Sequence, residues 1–210
     1  GVGHWLKGDF TEGNAWHYTW QVQHDPKGLV AALGGGESAA AKLERLFTQP
    51  SGKVTDETSA VTGYLGQYPH GNEPCHHVPW LFAYAGRGDL ATKYVHEIAK
   101  RFYRVAPDGL CGNDDCGQMS AWYVFSALGF YPLNPATDEY IIGSPLVEKA
   151  VLTIGAPYRP TTFTIVAKNQ SRENCIVKSV KLNGVELKDR RIRQRDIVAG
   201  GTLEFEMAAP

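Results

Sequence analysis

The sequence predicts an α + β protein: a helical portion over residues 1–135, followed by an antiparallel β segment over residues 136–210. Three observations support this prediction. Up to residue 135 the apolar residues recur at the spacing of helical turns. Beyond Pro135 apolar and polar residues alternate in stretches rich in Val, Ile and Thr, as they do in half-buried strands. A chain of 210 residues is also long enough for one large or two small domains.

The helical portion contains five predicted helices, over residues 13–24, 36–49, 76–86, 89–105 and 116–130. Asp89 is predicted to cap the fourth helix, and Gly86, Gly88 and Gly129 are predicted to mark helix ends. The third and fifth segments are apolar on nearly all sides. This pattern is typical of helices buried on both sides, as in the inner ring of a helical barrel.

The β segment contains predicted strands over residues 140–144, 149–155, 162–168, 176–188 and 200–207. Within residues 176–188 the pair Asn183-Gly184 separates "VKL" from "VEL". Both residue types tolerate a positive φ, which the tightest hairpin turns require. A β-hairpin is therefore predicted at this point.

Composition excludes two classes of partner. The formal net charge is −1, with 43% hydrophobic and 20% charged residues, which is ordinary for a globular domain with a core. Nothing in this balance predicts binding to nucleic acid or to an anionic membrane surface. The longest apolar runs are only a few residues, so no membrane-spanning helix is predicted.

The chain has four cysteines, Cys75, Cys111, Cys116 and Cys175. They form no CxxC pair and no zinc-ribbon spacing. Three interpretations stay open: packing beside a polar motif, one disulfide between two of them, and metal ligation.

Two stretches gather titratable and polar residues, "QYPHGNEPCHHVPW" (67–80) and "GLCGNDDCGQMSAWYVF" (109–125). Glu12, Glu73 and the pair Asp114-Asp115 precede the first, third and fifth predicted helices. In an up-down array with short connections every second helix points the same way. The N-terminal ends of these three helices, and with them the acidic motifs, are therefore expected at one rim.

Carboxylates that face one another across a pocket lined with tryptophan are what glycoside hydrolysis requires. One acid protonates the leaving oxygen, and one carboxylate activates water or attacks carbon. Flat apolar rings on which sugars can stack are supplied by Trp5, Trp16, Trp20, Trp80 and Trp122.

Each motif also has a plain structural interpretation. Glu12 and Glu73 could be ordinary acids at helix N-termini, and Asp114-Asp115 could be a solvated turn. The histidines His76 and His77 could bond a helix start, and the tryptophans could be core residues. The conjunction of three motifs favours a site, because crowded carboxylates are costly unless they share a cation or proton. Oxygen-rich Asn, Asp and Glu sets suit calcium, although the sequence has no EF-hand pattern.

Three long motifs, "DFTEGNAWHYTWQVQHD", "HGNEPCHHVPWLFAYAG" and "GLCGNDDCGQMSAWYVFSALGFYPLNPATDEYIIGSPL", resemble the glycoside hydrolase family 92 α-mannosidases. The resemblance runs through essentially the whole sequence but covers only the C-terminal part of that family's usual chain. It implies later helices of an (α/α)6 barrel followed by closing strands. The N-terminal β-sandwich and the early barrel helices are then partners that these residues lack.

The resemblance also implies the reaction, that of a calcium-dependent, inverting exo-α-mannosidase acting on α-1,2-type mannosides of N-glycans or mannan. Glu12 in "TEGNAW" matches the general acid, and Asp115 in "GNDDCGQ" matches the general base. The family pairs the base with a second carboxylate two positions away. This sequence has Asn113 there and Asp114 between, so the second member of the pair stays open.

The remaining expected site residues fall into two groups. Those expected to contact sugar are Trp16, His70, His76, His77, Trp80 and Gln118, and those expected to hold Ca²⁺ are Asn72, Glu73 and Asn113. A mannose-containing oligosaccharide is the expected ligand, and a secreted, periplasmic or bacterial cell-surface location is implied by the resemblance. Two other interpretations stay open: another (α/α)-barrel glycosidase of the glucosidase or trehalase kind, and a non-catalytic carbohydrate-binding or structural fragment.

Overall fold

The structure, a computed structural model, describes residues 9–51 and 62–209. The chain divides into two compact units, Gly1–Tyr123 and Val124–Pro210. The mixture of helices and sheets agrees with the predicted α + β class. The (α/α)6 arrangement of the helices stays a prediction.

The helices of the first unit, with the helix that continues into the second, are α1 (Ala15–Tyr18), α2 (Pro26–Ala32), α3 (Gly36–Thr48), α4 (Leu81–Tyr84), α5 (Gly88–Phe102) and α6 (Gln118–Leu128). Two short 3₁₀ turns, Glu73–Cys75 and Val78–Trp80, and a two-stranded pair, β1 (Tyr64–Leu65) with β2 (Tyr68–Pro69), lie between α3 and α4. The core of this unit includes stacked aromatic rings: Tyr94 on α5 lies 4.3 Å from Phe47 and 5.3 Å from Phe82 between ring centroids.

The predicted helices at 36–49, 89–105 and 116–130 correspond to α3, α5 and α6, but the predicted helix at 13–24 was wrong in length. It ends at Tyr18, and the chain then turns until Asp25 accepts a hydrogen bond from Gly28 N at 2.9 Å and starts α2. The Asp25-Pro26 step is a helix-start signal that apolar periodicity does not reveal.

The predicted continuous helix at 76–86 was also wrong. Proline lacks a backbone N–H, and Pro74 and Pro79 each lie inside a 3₁₀ turn, so only Leu81–Tyr84 is α-helical. The predicted burial of this segment on all sides is confirmed, since Val78, Trp80, Leu81 and Phe82 are buried. It does not hold for α6 within the described residues, where Tyr123 and Val124 are 38% and 54% exposed.

The second unit contains the strands β3 (Phe130–Tyr131), β4 (Glu139–Ile142), β5 (Lys149–Ile154), β6 (Thr161–Lys168), β7 (Ile176–Leu182), β8 (Val185–Glu186), β9 (Arg191–Arg193) and β10 (Gly201–Ala208), with α7 (Gln194–Ala199) before the last strand. They form a five-stranded sheet in the order β5-β6-β10-β7-β8 and a three-stranded sheet in the order β3-β4-β9. The inward residues of β6 and β10, among them Phe163, Ile165, Leu203 and Phe205, alternate as the period of two predicted.

The predicted all-antiparallel pairing was wrong in one place. β10 is antiparallel to β7 but parallel to β6, so the five-stranded sheet is mixed. Three elements of this unit are missing from the prediction: β3, and the pair β9 and α7 that lies just before β10. A backbone hydrogen bond from Arg193 N to Asp196 Oδ2 at 2.8 Å starts α7.

The predicted hairpin is confirmed. Leu182 pairs with Val185, and the two residues between them, Asn183 and Gly184, have φ of 50° and 83°. These are the left-handed conformations of the tight hairpin turn.

Candidate active site

The first acidic motif is the turn before α1. Asn14 caps the helix, its Oδ1 accepting from Trp16 N at 2.9 Å and His17 N at 3.1 Å. Two residues earlier, Glu12 is exposed and has a left-handed backbone with φ of 49°. A long side chain rarely adopts this conformation, which costs about 1–3 kcal/mol and persists where surrounding contacts enforce it.

The second motif, residues 70–77, is tied to the first by direct hydrogen bonds. Asn72 Nδ2 donates to the backbone oxygen of Glu12 at 2.9 Å. Further along, His77 Nε2 bonds to Trp20 O at 2.8 Å. These bonds hold Glu73 beside the turn that carries Glu12.

The third motif precedes α6. Asp114 Oδ1 accepts from Ser120 N at 2.9 Å and so serves the helix start. Asp115, Cys116 and Gly117 follow with φ of 42°, 58° and 90°, three consecutive left-handed residues. The carboxylate of Asp115 is exposed.

The acids of the three motifs meet at Glu73. Burial is the main cause that raises the pKa of Glu73, and the nearby carboxyl groups of Asp115 and Glu12 raise it further. One of its oxygens, Oε1, is buried without a hydrogen-bond partner in the described chain. Glu73 therefore lies close enough to both Asp115 and Glu12 for their charges to interact, whereas Asp114 bonds to the start of α6.

Glycines let the second and third motifs approach each other. A methyl group added to Gly112 would lie 2.9 Å from the backbone oxygen of Gly71. Beside this contact, the hydroxyl of Thr62 donates to the backbone oxygen of Cys111. Two loops can come this close only where neither carries a side chain.

The three histidines expected to bind sugar are buried within the first unit: His70, His76 and His77 are 0%, 1% and 5% exposed. His70 lies between two tyrosines, with Nδ1 2.9 Å from Tyr68 Oη and Nε2 2.7 Å from Tyr103 Oη. Tyr103 in turn donates to Met119 O at 3.0 Å. The sequence analysis did not single out these tyrosines, because an aromatic residue between motifs carries no signal that separates a hydrogen-bonding role from packing.

The tryptophans differ in exposure. Trp20, Trp80 and Trp122 are at most 1% exposed and belong to the core, so their rings present no face to a ligand. Trp16 is half-buried and Trp5 lies outside the described residues. Among the described tryptophans, the expected sugar platform therefore rests on Trp16.

The expected calcium ligands are spread over two motifs: Asn72 is buried, Glu73 is half-buried, and Asn113 is exposed. Among residues 9–51 and 62–209, no three His, Cys, Asp or Glu side chains are grouped so as to hold a metal ion. The expected ligands are one carboxylate, Glu73, and two amides, so the absence of a group of His, Cys, Asp and Glu among these residues does not test the predicted calcium site. All four cysteines are free thiols.

Comparison with known families matches residues 3–209 to the glycosyl hydrolase family 92 catalytic domain. A curated relative from Arthroderma benhamiae, an uncharacterized secreted glycosidase, is 29% identical over 196 residues, which is 93% of this chain and 23% of that protein. No helix among the described residues is long and apolar enough to cross a membrane.

Two solved structures from Bacteroides thetaiotaomicron are similar throughout. A family 92 α-mannosidase in complex with mannoimidazole is 38% identical with a TM-score of 0.89, over 97% of this chain and 26% of its own. A family 92 inverting mannosidase is 34% identical with a TM-score of 0.81, over 97% of this chain and 28% of its own. The chain thus spans about a quarter of the length of these relatives. Because the family match extends over nearly every residue, the chain belongs to glycosyl hydrolase family 92, as part of its catalytic domain.

Proposed function

We propose that this chain supplies the acid-bearing side of an active site that hydrolyses α-mannosides with inversion. The observation that carries the proposal is the meeting of Glu12, Glu73 and Asp115 on loops whose backbones are left-handed at Glu12 and Asp115. Two similar solved proteins are mannosidases, one of them named as inverting and the other bound to mannoimidazole. These relatives support mannose as the sugar.

In the proposed reaction Glu12 donates a proton to the glycosidic oxygen, and Asp115 removes a proton from the attacking water on the opposite face of the sugar. Inversion requires the two carboxyl groups to lie roughly 6.5–9.5 Å apart so that the water fits between ring and base. The hydrogen bond from Asn72 to Glu12 O holds the backbone of the acid, which keeps it aligned through proton transfer.

The donors fit a hard divalent cation, for which Ca²⁺ is the proposed identity. Within residues 9–51 and 62–209 Glu73 Oε1 has no hydrogen-bond partner, and Asn72 uses its NH₂ group internally, so that an oxygen of each residue is available. Asn113 would add a third oxygen. When bound, the cation would offset the negative charge of the crowded carboxylates and offer ligand positions to sugar hydroxyls.

Removal of the metal is a direct prediction of this assignment. Hydrolysis of an α-mannoside by the complete protein should be lost after treatment with a calcium chelator and restored when Ca²⁺ is added back. Added Mg²⁺ should restore it poorly, since Mg²⁺ prefers to keep its waters and a tight octahedral geometry. A chelated enzyme with full activity would exclude the assignment of Ca²⁺.

The complete active site is proposed to need further segments of a longer catalytic domain, since the relatives are about four times as long as this chain. Those segments would supply the rest of the barrel and the contacts that select the α-1,2 linkage of a mannose-containing oligosaccharide. Secretion is proposed on the strength of the secreted relative.

The decisive experiment follows hydrolysis of α-1,2-mannobiose with Ca²⁺ by proton NMR, for the isolated chain and for the complete protein. Of the two mannoses released by the complete protein, we expect the one from the non-reducing end to appear first as the β anomer, while the other appears as the anomeric mixture of the reducing end. The isolated chain should be far weaker. Initial appearance of the non-reducing mannose as the α anomer would contradict inversion. Cleavage of α-glucosides in place of α-mannosides would contradict the substrate.

A further inference from the structure

The two nitrogens of His76 have different partners, and this determines where its proton lies. Nε2 lies 3.0 Å from the backbone oxygen of His70, which can only accept a hydrogen bond. His76 is 1% exposed, and within the described residues its ring nitrogens bond to a backbone oxygen and an amide rather than to a carboxylate. A charged ring would be buried without a counter-charge, so the ring is neutral and carries one proton. That proton is on Nε2, and Nδ1 presents a lone pair.

The proton position of His76 in turn determines the orientation of Gln118. The side-chain amide nitrogen of Gln118 lies 3.1 Å from Nδ1 of His76. Because Nδ1 accepts, only the NH₂ end of the amide can face it, whichever way the amide is drawn. The carbonyl oxygen, Oε1, therefore points away from His76, and no hydrogen bond within the described residues uses it.

Gln118 is the first residue of α6, and its backbone N–H bonds to the oxygen of Asp115 at 3.2 Å. The amide thus begins directly after the loop that carries the proposed base, and it is half-buried. Asn72 repeats the pattern: its NH₂ group donates to Glu12 O, so its carbonyl oxygen, proposed above as a Ca²⁺ ligand, faces away from that bond. Both amides beside the acids have their donors turned into the protein.

We propose that His76 is a positioning residue that holds Gln118 with its carbonyl oxygen toward the sugar, so that the amide accepts a hydrogen bond from a hydroxyl group. The inference rests on the proposed function and specifies how that site recognises its ligand. At this position the site then presents an acceptor and no donor. A ligand hydroxyl facing Gln118 must act as a donor, so a methoxy group or fluorine at that position is not tolerated, whereas an amine is.

The orientation of the amide is tested without any ligand, by nitrogen-15 NMR of the His76 ring in this chain. We expect the wild-type ring to carry its proton on Nε2. Gln118→Glu replaces the NH₂ donor with an acceptor, so His76 should gain a proton on Nδ1 near neutral pH. Gln194→Glu makes the same chemical change in the second unit, where Gln194 Oε1 accepts from Tyr140 Oη at 2.6 Å, and should leave His76 unchanged.

A wild-type ring with its proton on Nδ1 would overturn the proposal, because Nδ1 would then donate to the carbonyl oxygen of Gln118. An unchanged ring in Gln118→Glu would overturn it as well, because the amide would not be bonded to His76.

The role in recognition is tested with the complete protein, by measuring inhibition by methyl α-mannopyranoside and by its mono-O-methyl ethers. One ether should bind about three- to tenfold more weakly than the parent, which is the effect of losing one hydrogen bond. This discrimination should persist in Gln118→Glu, which keeps an acceptor, and vanish in Gln118→Met. It should also vanish in His76→Phe, in which Gln118 is present but free to turn.

Undiminished discrimination in Gln118→Met would overturn the recognition role. If wild-type protein binds no mannoside, the proposed function fails instead, and the NMR result still decides how the amide is oriented. The two failures are thereby distinguished.

Discussion

At Glu12 and Asp115 the backbone is left-handed, with φ of 49° and 42°. Side chains with a Cβ avoid this region because the Cβ approaches the following carbonyl oxygen. Both residues are also exposed, so packing of their own side chains does not explain the conformation. At Glu12 the bond from Asn72 to the backbone oxygen helps to hold this conformation, so the carboxylate starts from a defined backbone position.

Glu12→Gln is the cleanest change at the proposed acid, because Gln has the same shape and the same backbone cost. We expect turnover on methyl or glycan leaving groups to fall by roughly 10²–10⁴-fold, the usual contribution of general acid catalysis. A dinitrophenyl leaving group needs no proton and should be affected much less. The measurement is kcat on both substrate types in the complete protein, and an equal loss on both would contradict the assigned role.

Asp115→Asn should separate catalysis from stability. Asn tolerates the left-handed backbone about as well as Asp does, and its neutral amide removes one charge beside Glu73. We therefore expect hydrolysis to fall by roughly 10²-fold or more while the melting temperature holds or rises. Asp115→Ala is the comparison. It should lose roughly 1 kcal/mol of stability, the penalty of a left-handed alanine, and therefore melt at a lower temperature. A lower melting temperature in Asp115→Asn would show that the carboxylate is structural.

At the scale of elements, periodicity predicted α3, α5 and α6, and the turn residues Asn183-Gly184 predicted the hairpin, because these signals lie within a few neighbouring residues. It overextended the helix at 13–24 and missed α2, since capping at Asp25 competes with the apolar spacing. The parallel pairing of β10 with β6 joins residues 38 positions apart, and neither strand alone contains a signal for it.

At the candidate site, too, the sequence predicted what local signals determine and missed what distant contacts determine. Spacing of the acidic motifs predicted that Glu12, Glu73 and Asp115 meet, because alternating helix directions follow from short connections. It could not predict the left-handed loop at Asp115, nor the bond from His76 to Gln118, because both are set by contacts between distant segments.

The contact of the second and third motifs through their glycines gives a prediction for these loops. Gly112→Ala places a methyl group 2.9 Å from Gly71 O, so one loop must shift. We expect a stability loss of about 1–3 kcal/mol and, because the loop carries Asp115, a loss of activity approaching roughly 10²-fold. Gly155→Ala is the matched control, since nothing lies within 4 Å of its added methyl group. Gly112→Ala with unchanged activity would show that the loop contact does not position Asp115.

At the scale of the molecule, buried neutral histidines couple stability to pH. Burial lowers the pKa values of His76 and His77 from 6.5 to about 4. Between these limits the unfolded chain binds protons that the folded chain excludes, so stability is full above about pH 6.5 and falls as the pH drops toward 4. The raised pKa of Glu73 acts in the opposite direction, because the folded chain then binds a proton that the unfolded chain releases. Two buried imidazoles oppose this one half-buried carboxyl group, and each imidazole is worth on the order of 3 kcal/mol once the pH is below both of its pKa values.

We therefore expect the free energy of urea unfolding of this chain to decrease steadily from pH 7 to pH 5. His77→Gln should reduce that decrease, because its amide can still donate to Trp20 O, as His77 does, but takes up no proton on unfolding. The measurement is the unfolding free energy of wild type and His77→Gln at matched pH values, with ellipticity and tryptophan fluorescence followed together. A wild-type value that is flat or rises over this interval would mean that the histidines are protonated without penalty in the folded chain. The neutral ring of His76, on which the orientation of Gln118 depends, would then be excluded as well.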